Sequence, residues 1–151
     1  RAWFDDVLVR HCRRAQRENI ALSTIFIDID HFKSINDRLG HLVGDQVLRA
    51  IADRLQQGIR SIDTAARYGG EEFVLLLYGI NLTEAREIAE RLRREINQLH
   101  VPTNHDPIKM SFSAGVAQLG QGESSDAFIQ AADKAMYRAK NGGRNQVAMR
   151  E

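Results

Sequence analysis

Two adjacent glycines, Gly69 and Gly70, separate two strand-like segments near the middle of the chain, and this feature restricts the possible folds most strongly. Adjacent glycines suit a two-residue β-hairpin turn, because both central positions can take positive φ without a Cβ penalty. Glu71 and Glu72 follow the glycines and precede an apolar run, residues 73–77. Strand alternation predicts that the two carboxylates point to opposite faces of a sheet. The stretch predicts a hairpin tip with oxygen ligands for a divalent cation; a hairpin with water-facing charges is the alternative.

The rest of the chain alternates between helical and strand-like apolar patterns. Helical spacing predicts helices over about residues 2–19, 31–39, 42–57, 83–99 and 126–140, with Thr83 as the N-cap of the fourth helix. Extended or alternating apolar runs predict strands over about residues 21–27, 61–66, 73–78, 109–118 and 145–149. Residues 100–107, which contain both prolines, are expected to form a loop. This order predicts an α+β fold, an α/β sandwich with one central mixed β-sheet flanked by helices.

Length and composition narrow the class of protein. The 151 residues fit one domain, residues 1–151, with a sizeable core, and the net charge of +1 argues against a nucleic-acid binder driven by overall electrostatics. Cys12 is the only cysteine, which excludes an internal disulfide and indicates a reducing, cytoplasmic compartment. No apolar run reaches membrane-spanning length, so we expect no direct membrane contact. Because the sequence begins at Arg1 rather than Met, we expect a domain excised from a longer protein, for which a membrane anchor is compatible with this sequence.

Two aspartates, Asp28 and Asp30, follow the first predicted strand, where open α/β-type sheets commonly bind ligands. A buried carboxylate requires a cation, a backbone amide or a basic side chain as its partner. Combined with the hairpin carboxylates, the aspartates predict shared divalent ions, as in two-metal phosphoryl-transfer sites. The alternatives are a helix-capping aspartate beside an exposed one, and a glycosidase, which the aromatic content of 7% disfavours.

Three basic side chains lie close to glycine-bearing turns or to the first strand. Lys140 and Arg144 flank the turn at residues 141–143, and Lys33 follows the first strand closely. Such residues can bind a triphosphate through charge-assisted hydrogen bonds. The alternative is that they only stabilise a helix C-terminus by complementing the helix dipole. The sequence contains no G-x-x-x-x-G-K-[ST] motif, which excludes the P-loop mode of nucleotide binding.

Several motifs, in order along nearly the whole chain, resemble the GGDEF family of diguanylate cyclases in its Gly-Gly-Glu-Glu-Phe form. The matching segments are Ile27–Lys33, Ile35–Asp37, Gly40–His41 with Gly44–Asp45, Arg67–Phe73, Ala132–Tyr137 with Ala139–Lys140, and Gly143–Asn145. The family usually carries an Asp-x-Leu-Thr-Gly-Leu-x-Asn stretch before the first long helix, and this sequence starts after it.

The resemblance implies a fold like the palm of nucleotide polymerases and nucleotide cyclases. It also implies that Asp28, the Ile29 carbonyl and Glu71 hold two Mg²⁺ ions per active site, with Mn²⁺ as an alternative ion. Glu72 is implied as a further acidic group at this metal site. Asp28, Glu71 and Glu72 are therefore the expected catalytic residues.

The resemblance further implies a GTP site in which Asn36 and Asp45 hydrogen-bond the guanine base. An aspartate can accept from both guanine N1–H and N2–H₂, whereas adenine offers no such pair of donors. Backbone or side-chain contacts to the nucleotide are implied for His31, Phe32, Lys33, Gly69, Gly70, Lys140 and Arg144. Each domain would hold one GTP, and a homodimer would join two GTP into cyclic di-GMP with release of two pyrophosphates. The alternative is a catalytically silent member of the family that binds GTP or cyclic di-GMP.

A regulatory site is implied by one more match. Arg60 and Asp63 have the R-x-x-D spacing at the family's usual distance before the glycines, where product binds and inhibits. Arginine suits this role because its planar fork reaches guanine O6 and N7. Arg91 or, as an alternative on the same predicted helix, Arg94 is expected to supply a second contact. A local Arg–Asp ion pair is the alternative to the whole regulatory site.

Overall fold

The computed structural model describes residues 1–101 and 107–151 of the chain. The helices are α1 (Ala2–Glu18), α2 (Phe32–Leu39), α3 (His41–Gln57), α4 (Leu82–Asn97) and α5 (Ser125–Asn141). The strands are β1 (Leu22–Ile29), β2 (Thr64–Gly69), β3 (Glu72–Tyr78), β4 (Phe112–Gln118) and β5 (Gln146–Met149). Most of the loop predicted at residues 100–107 lies outside the described residues. No helix within these ranges has both the length and the apolar character needed to cross a membrane.

The strands form one mixed sheet in the order β2-β3-β1-β4-β5. Strand β1 pairs antiparallel with β3 and β4, β2 pairs antiparallel with β3, and β4 pairs parallel with β5. The first strand of the sequence therefore lies at the centre of the sheet. Its C-terminal end meets the start of β3 on one side and the start of β4 on the other.

Helices cover both faces of the sheet. Helices α2, α3 and α4 contribute to the core on one face, whereas α1 and α5 contribute to the core on the other face. Side chains of β1 alternate between these cores, with Ile25 and Ile27 on the α3 side and Leu22 and Phe26 on the α5 side. Burial on both faces explains the continuous apolar run of β1. The predicted α+β sandwich with a central mixed sheet is confirmed.

The N-cap of α4 differs from the prediction. Asn81, not Thr83, caps this helix: its Oδ1 accepts a hydrogen bond of 2.9 Å from the backbone N of Glu84. The Glu84 carboxylate in turn accepts from the backbone N of Asn81 at 3.0 Å. Because this reciprocal capping box satisfies two free backbone donors, it is favoured over a cap at Thr83.

Two strands also begin later than predicted. Strand β2 starts at Thr64 rather than near residue 61, because the preceding residues form a turn in which the backbone N of Asp63 donates to the carbonyl of Arg60 at 3.0 Å. Strand β4 starts at Phe112 rather than near residue 109, because its pairing with β1 begins with Phe112 opposite Ile29. The start of each strand therefore depends on its hydrogen-bond partner rather than on apolar alternation.

Candidate functional site

The acidic part of the site lies at the C-terminal end of β1. Asp28 is directly opposite Glu72 of β3 in the sheet, and Asp28 is only 6% exposed. Burial raises the pKa of both carboxyls, and for Glu72 the charges of Asp28 and Asp133 raise it further. Like charges at one strand end favour the binding of a cation between or beside them.

Lys140 supplies one positive charge to this cluster. Its Nζ lies 2.9 Å from Oδ2 of Asp28, and its side chain is about one-quarter exposed. The ammonium group opposes the effect of burial on the pKa of Asp28 and also that on the pKa of Asp133. Lys140 lies in the last turn of α5, so packing of α5 against the sheet places this cation at the end of β1.

The hairpin turn corrects one prediction. Neither Gly69 nor Gly70 has a positive φ; Gly69 is the last residue of β2, and Gly70 and Glu71 form the turn. The backbone N of Ile29 donates to the carbonyl of Glu71 at 3.1 Å, and Nε of Arg67 donates to the carbonyl of Gly70 at 2.8 Å. The first bond holds the turn against the end of β1, and the second stabilises the hairpin itself, without the left-handed geometry that adjacent glycines permit.

Gly70 leaves free space beside the turn. A Cβ atom at Gly70 would meet no heavy atom within 4 Å, so the glycine is not required by packing. Gly70 instead lines a cavity of about 470 Å³ together with Phe32, Lys33, Asn36, His41, Asp45, Leu48, Arg67 and Glu71. This volume lies within the range of small-molecule sites. The hairpin therefore forms one wall of a ligand-sized cavity.

The two hairpin carboxylates face different surroundings. Glu71 lines the cavity on the side of α2 and α3, whereas Glu72 lies opposite Asp28 on the side of α5. The end of the sheet thus has carboxylates on both faces, and the charge of Glu71 contributes to raising the pKa of Asp28. A ligand in the cavity can reach the acidic strand end by way of Glu71.

Asn36 has an unsatisfied polar atom at this cavity. Its Oδ1 is buried and has no hydrogen-bond partner among the described residues. A buried amide oxygen without a partner is costly, so the position of this side chain requires a reason in its surroundings. Asp45, at the same cavity, is exposed. The structure thus brings together the two side chains that were expected to read the guanine base.

The start of α2 offers backbone donors. His31, its N-cap, has a φ of 56° in the left-handed region, and no side chain in the described part of the chain caps this helix. The first N–H groups of a helix attract anions, particularly phosphates. Lys33 in the first turn of α2 lines the same cavity. This end of the cavity is suited to a phosphate chain.

Both carboxylate oxygens of Asp30 are occupied by hydrogen bonds within the protein, so Asp30 has a structural role rather than that of a metal ligand. Its two oxygens accept hydrogen bonds of 2.6 Å from the hydroxyls of Ser111 and Ser113, and Oδ2 also accepts from the backbone N of Asn145 at 2.9 Å. Asp30 therefore fastens the turn before β5 to the end of β1. The sequence motifs assigned the two serines no role. Their spacing of two residues, with Ser111 just before β4 and Ser113 within it, is the available signal.

Arg144 belongs to that fastened turn. Its φ is 64°, and its backbone N donates to the carbonyl of Ala139 at 3.1 Å. Neither Arg144 nor Lys140 is among the residues that line the 470 Å³ cavity. His41, Leu48 and Arg67 do line it, although the sequence reasoning assigned them no contact.

The oxygen donors at the strand end fit a divalent cation. Within residues 1–101 and 107–151, no three His, Cys, Asp or Glu side chains meet as a ready-made metal site. Mg²⁺, however, usually takes only one or two carboxylates and completes its shell with water and substrate phosphates. Burial raises the pKa of Asp28, and the nearby negative charge of Glu71 raises it further. A bound cation would stabilise the ionised carboxylates against both burial and mutual repulsion. The donor set therefore fits a metal that binds together with a nucleotide.

The residues of the predicted regulatory site also lie together. Arg60 donates two hydrogen bonds to the carboxylate of Asp63, at 3.0 and 2.8 Å, and a third of 2.7 Å to the carbonyl of Tyr78. Arg91 of α4 donates to the carbonyl of Gly58 at 2.7 Å, which places it at the same loop. The guanidinium of Arg60 is thus held in one orientation by a carboxylate whose side chain is 2% exposed.

Comparison with known proteins identifies relatives along the whole chain. The family model described as "Diguanylate cyclase, GGDEF domain" matches residues 1–146. Diguanylate cyclase DgcP of Pseudomonas aeruginosa is 40% identical over 147 residues, which cover 97% of this chain and 22% of that protein. Diguanylate cyclase VdcA of Vibrio cholerae is 46% identical over 129 residues, or 83% of this chain and 38% of that protein. The chain thus spans well under half of these relatives.

Solved structures agree with this assignment. The GGDEF domain of DgcB from Caulobacter crescentus, solved in complex with c-di-GMP, superposes with a TM-score of 0.95 at 34% identity and covers 99% of this chain and 89% of its own. The active GGEEF domain of a diguanylate cyclase from Vibrio cholerae gives a TM-score of 0.91 at 33% identity and covers 97% and 93% of the two chains. The chain belongs to the GGDEF family of diguanylate cyclase domains.

Proposed function

We propose that the chain is a diguanylate cyclase domain, which condenses two GTP into cyclic di-GMP and two pyrophosphates. One observation carries this proposal: the cavity lined by Asn36 and Asp45 ends at Glu71, beside the buried Asp28. A base-reading pocket and an acidic strand end are thus joined within one site. The similarity to diguanylate cyclases such as DgcP and VdcA supports the same activity.

Selection of guanine follows from the chemistry of two side chains. The Asp45 carboxylate accepts from N1–H and N2–H₂ of guanine, and the Asn36 amide donates to guanine N3 or O6. Adenine lacks the N1–H and N2–H₂ donors, so ATP leaves Asp45 without partners in the pocket. A site built to hydrogen-bond such groups rejects an analogue that lacks them.

The phosphates are placed at the other end of the cavity. The free N–H groups at the start of α2 and the ammonium of Lys33 bind the β- and γ-phosphates. Lys140, which pairs with Asp28 on the α5 side, and Arg144 are further proposed contacts to the phosphates. Gly70 has no side chain to fill the space above the turn, so the nucleotide can lie directly on the hairpin.

Asp28, the Ile29 carbonyl and Glu71 would hold divalent metal, with Glu72 as a nearby acidic group. When bound, the metal supplies charge neutralisation at the phosphates and at the attacking hydroxyl. The residues of the chain orient the substrate: Asn36 and Asp45 fix the base, and Lys33 and the start of α2 fix the phosphate end. Together these contacts restrict the position of the α-phosphorus near the end of β1.

The reaction requires a second copy of the chain. Each copy holds one GTP, and the 3′-hydroxyl of one nucleotide attacks the α-phosphorus of the other. The O3′–P bond forms, the bond between the α-phosphorus and the bridging oxygen to the β-phosphorus breaks, the hydroxyl proton is released, and pyrophosphate leaves. The same step in the opposite direction closes the ring. One chain therefore carries half of the site.

The direct test is product formation. The purified chain is incubated with GTP and Mg²⁺, and the nucleotides are separated by chromatography; we expect cyclic di-GMP. Glu71→Gln should abolish turnover while the far-UV circular dichroism and the binding of GTP remain, because it removes a negative charge without changing shape. Binding of GTP without any product from the unmutated chain would contradict the cyclase activity and indicate a nucleotide-binding module.

We also propose that cyclic di-GMP binds at Arg60, Asp63 and Arg91 and inhibits the enzyme. Arg60 is presented by a buried carboxylate, and Arg91 lies at the same loop. Replacing Arg60 with Ala should raise the concentration of cyclic di-GMP that halves the initial rate by at least about tenfold, because it removes the guanidinium whose plane can stack on guanine and whose Nη1 can donate to it. The rate without added product should stay within about twofold. Unchanged inhibition would contradict this site.

A further inference from the structure

Gly44 occupies an unfavourable position for a glycine. It is the fourth residue of α3, it is buried, and its backbone N donates to the carbonyl of Gly40 at 3.1 Å. Glycine destabilises a helix interior relative to alanine, and the φ of Gly44 is not in the left-handed region. Its backbone conformation therefore gives no reason for a glycine, and the reason has to lie in its surroundings.

The space beside Gly44 is occupied by the side chain of Asn36. A Cβ atom at Gly44 would lie 1.8 Å from Oδ1 of Asn36, 3.0 Å from its Cγ and 3.3 Å from Cζ of Phe32. A distance of 1.8 Å is far inside the contact limit of carbon and oxygen. An alanine at residue 44 and the present position of the Asn36 amide therefore exclude each other.

Gly115 provides a contrast. A Cβ atom there would lie 2.0 Å from the carbonyl O of Ala132 and 2.3 Å from the backbone N of Met136, so a side chain would push α5 away from the sheet. At Gly44 the overlapping atoms belong to the end of a rotatable side chain instead, and Cζ of Phe32 at 3.3 Å would need to move by only a few tenths of an ångström. Replacement of Gly44 can thus be accommodated by rotation of Asn36, with little cost to the fold.

We infer that Gly44 is a positioning residue for guanine recognition. The missing side chain leaves a slot between α2 and α3 that accepts Oδ1 of Asn36, and this orients the amide of Asn36 in the cavity wall. The buried Oδ1 without a partner fits this role, because the slot fixes the oxygen by shape rather than by a hydrogen bond. The inference rests on the proposed function, in which Asn36 contacts the base.

A double-mutant cycle tests the inference. Four proteins are compared: the unmutated chain, Gly44→Ala, Asn36→Ala and the double variant. Calorimetric titration measures their affinity for a GTP analogue in which a methylene replaces the α,β-bridging oxygen. Thermal unfolding measures their stability. Gly44→Ala should weaken binding about three- to tenfold, the range for one displaced hydrogen bond. In the Asn36→Ala background, Gly44→Ala should have no further effect on affinity. In that background Gly44→Ala should also leave the unfolding midpoint equal or higher, because alanine favours the helix.

A matched control keeps the comparison specific. Gln46 is exposed on the same helix, and Gln46→Ala should leave affinity unchanged. Unchanged affinity in Gly44→Ala would overturn the inference, as would an equal loss with and without Asn36. Failure of Gly44→Ala to fold, while the double variant folds, would show a packing role and also overturn it.

The cycle also separates this inference from the proposed function. Absence of analogue binding by the unmutated chain would contradict the proposed function and, with it, any positioning role of Gly44. Binding by the unmutated chain combined with additive effects of the two substitutions would leave the cyclase proposal standing and overturn the inference alone.

Discussion

At the scale of single residues, the site depends on charges that the fold buries before any ligand is present. Asp28 is 6% exposed, and its only cationic contact among the described residues is Lys140 at 2.9 Å. Removing one member of a buried pair costs more than the pair contributes, because the remaining charge stays desolvated. Lys140 therefore has a second role, which is to compensate Asp28 in the absence of metal.

Replacing Lys140 with Met should lower the free energy of unfolding by about 1–3 kcal/mol in EDTA. This loss lies between those for breaking an exposed and a buried ion pair, because Lys140 is partly exposed. Adding Mg²⁺ should restore stability more in this variant than in the unmutated chain. Urea unfolding with and without Mg²⁺ measures both effects. Lys134→Met, an exposed change on the same helix, is the control. Equal stability of the two variants in EDTA would contradict this role of Lys140.

A second ion pair gives a pH dependence with a defined sign. Arg150 donates two hydrogen bonds to Glu123, at 2.8 and 2.9 Å, and these bonds lower the pKa of Glu123 in the folded chain. A carboxyl with a lowered folded-state pKa adds stability above its unfolded-state pKa, and this stability is lost as the pH falls through the folded-state value.

Replacing Glu123 with Gln should therefore lower the free energy of unfolding by about 1 kcal/mol at pH 7, and the difference should shrink towards zero in acid. Urea unfolding at a series of pH values measures it. Glu87→Gln, an exposed substitution on α4, should have no such effect. A difference that stays constant down to acid pH would mean that Glu123 acts by packing rather than by charge.

At the scale of elements, helices were easier to predict than the ends of strands. The five helices follow from apolar residues at helical spacing, a signal contained in each segment itself. The start of β4 depends on Ile29, a partner far along the chain, and no local pattern contains this information. Strand β2 begins after the turn at Arg60 and Asp63, where its pairing with Leu76 starts. The cap of α4 was misassigned because both Asn81 and Thr83 are good capping residues, and only the reciprocal bond with Glu84 distinguishes them.

The capping box makes a prediction for α4. Asn81→Ala should lower the free energy of unfolding by about 1 kcal/mol, since it leaves a backbone donor of Glu84 unpaired. Thr83→Ala, the control two residues away, should change it by less than about 0.5 kcal/mol. Chemical denaturation of the two variants measures both values. An equal loss in each would contradict the assignment of Asn81 as the cap.

At the scale of the whole molecule, the sequence motifs predicted the family, and the order of helical and strand-like segments predicted the sandwich with a mixed sheet. Other features of the site required coordinates. The pairing of Lys140 with Asp28, the serine contacts of Asp30 and the slot at Gly44 each join residues from different elements. The hairpin glycines were expected to take positive φ, but the turn at Gly70 and Glu71 does not need it.

If one chain carries half of a cyclase site, dilution of the enzyme should separate the two halves. The initial rate of cyclic di-GMP formation is measured at saturating GTP and Mg²⁺ over a dilution series, alongside sedimentation analysis of the same samples. We expect activity per chain to fall in proportion to concentration where the chain is monomeric, because two GTP-loaded copies must meet. Constant activity per chain across that monomeric range would contradict it.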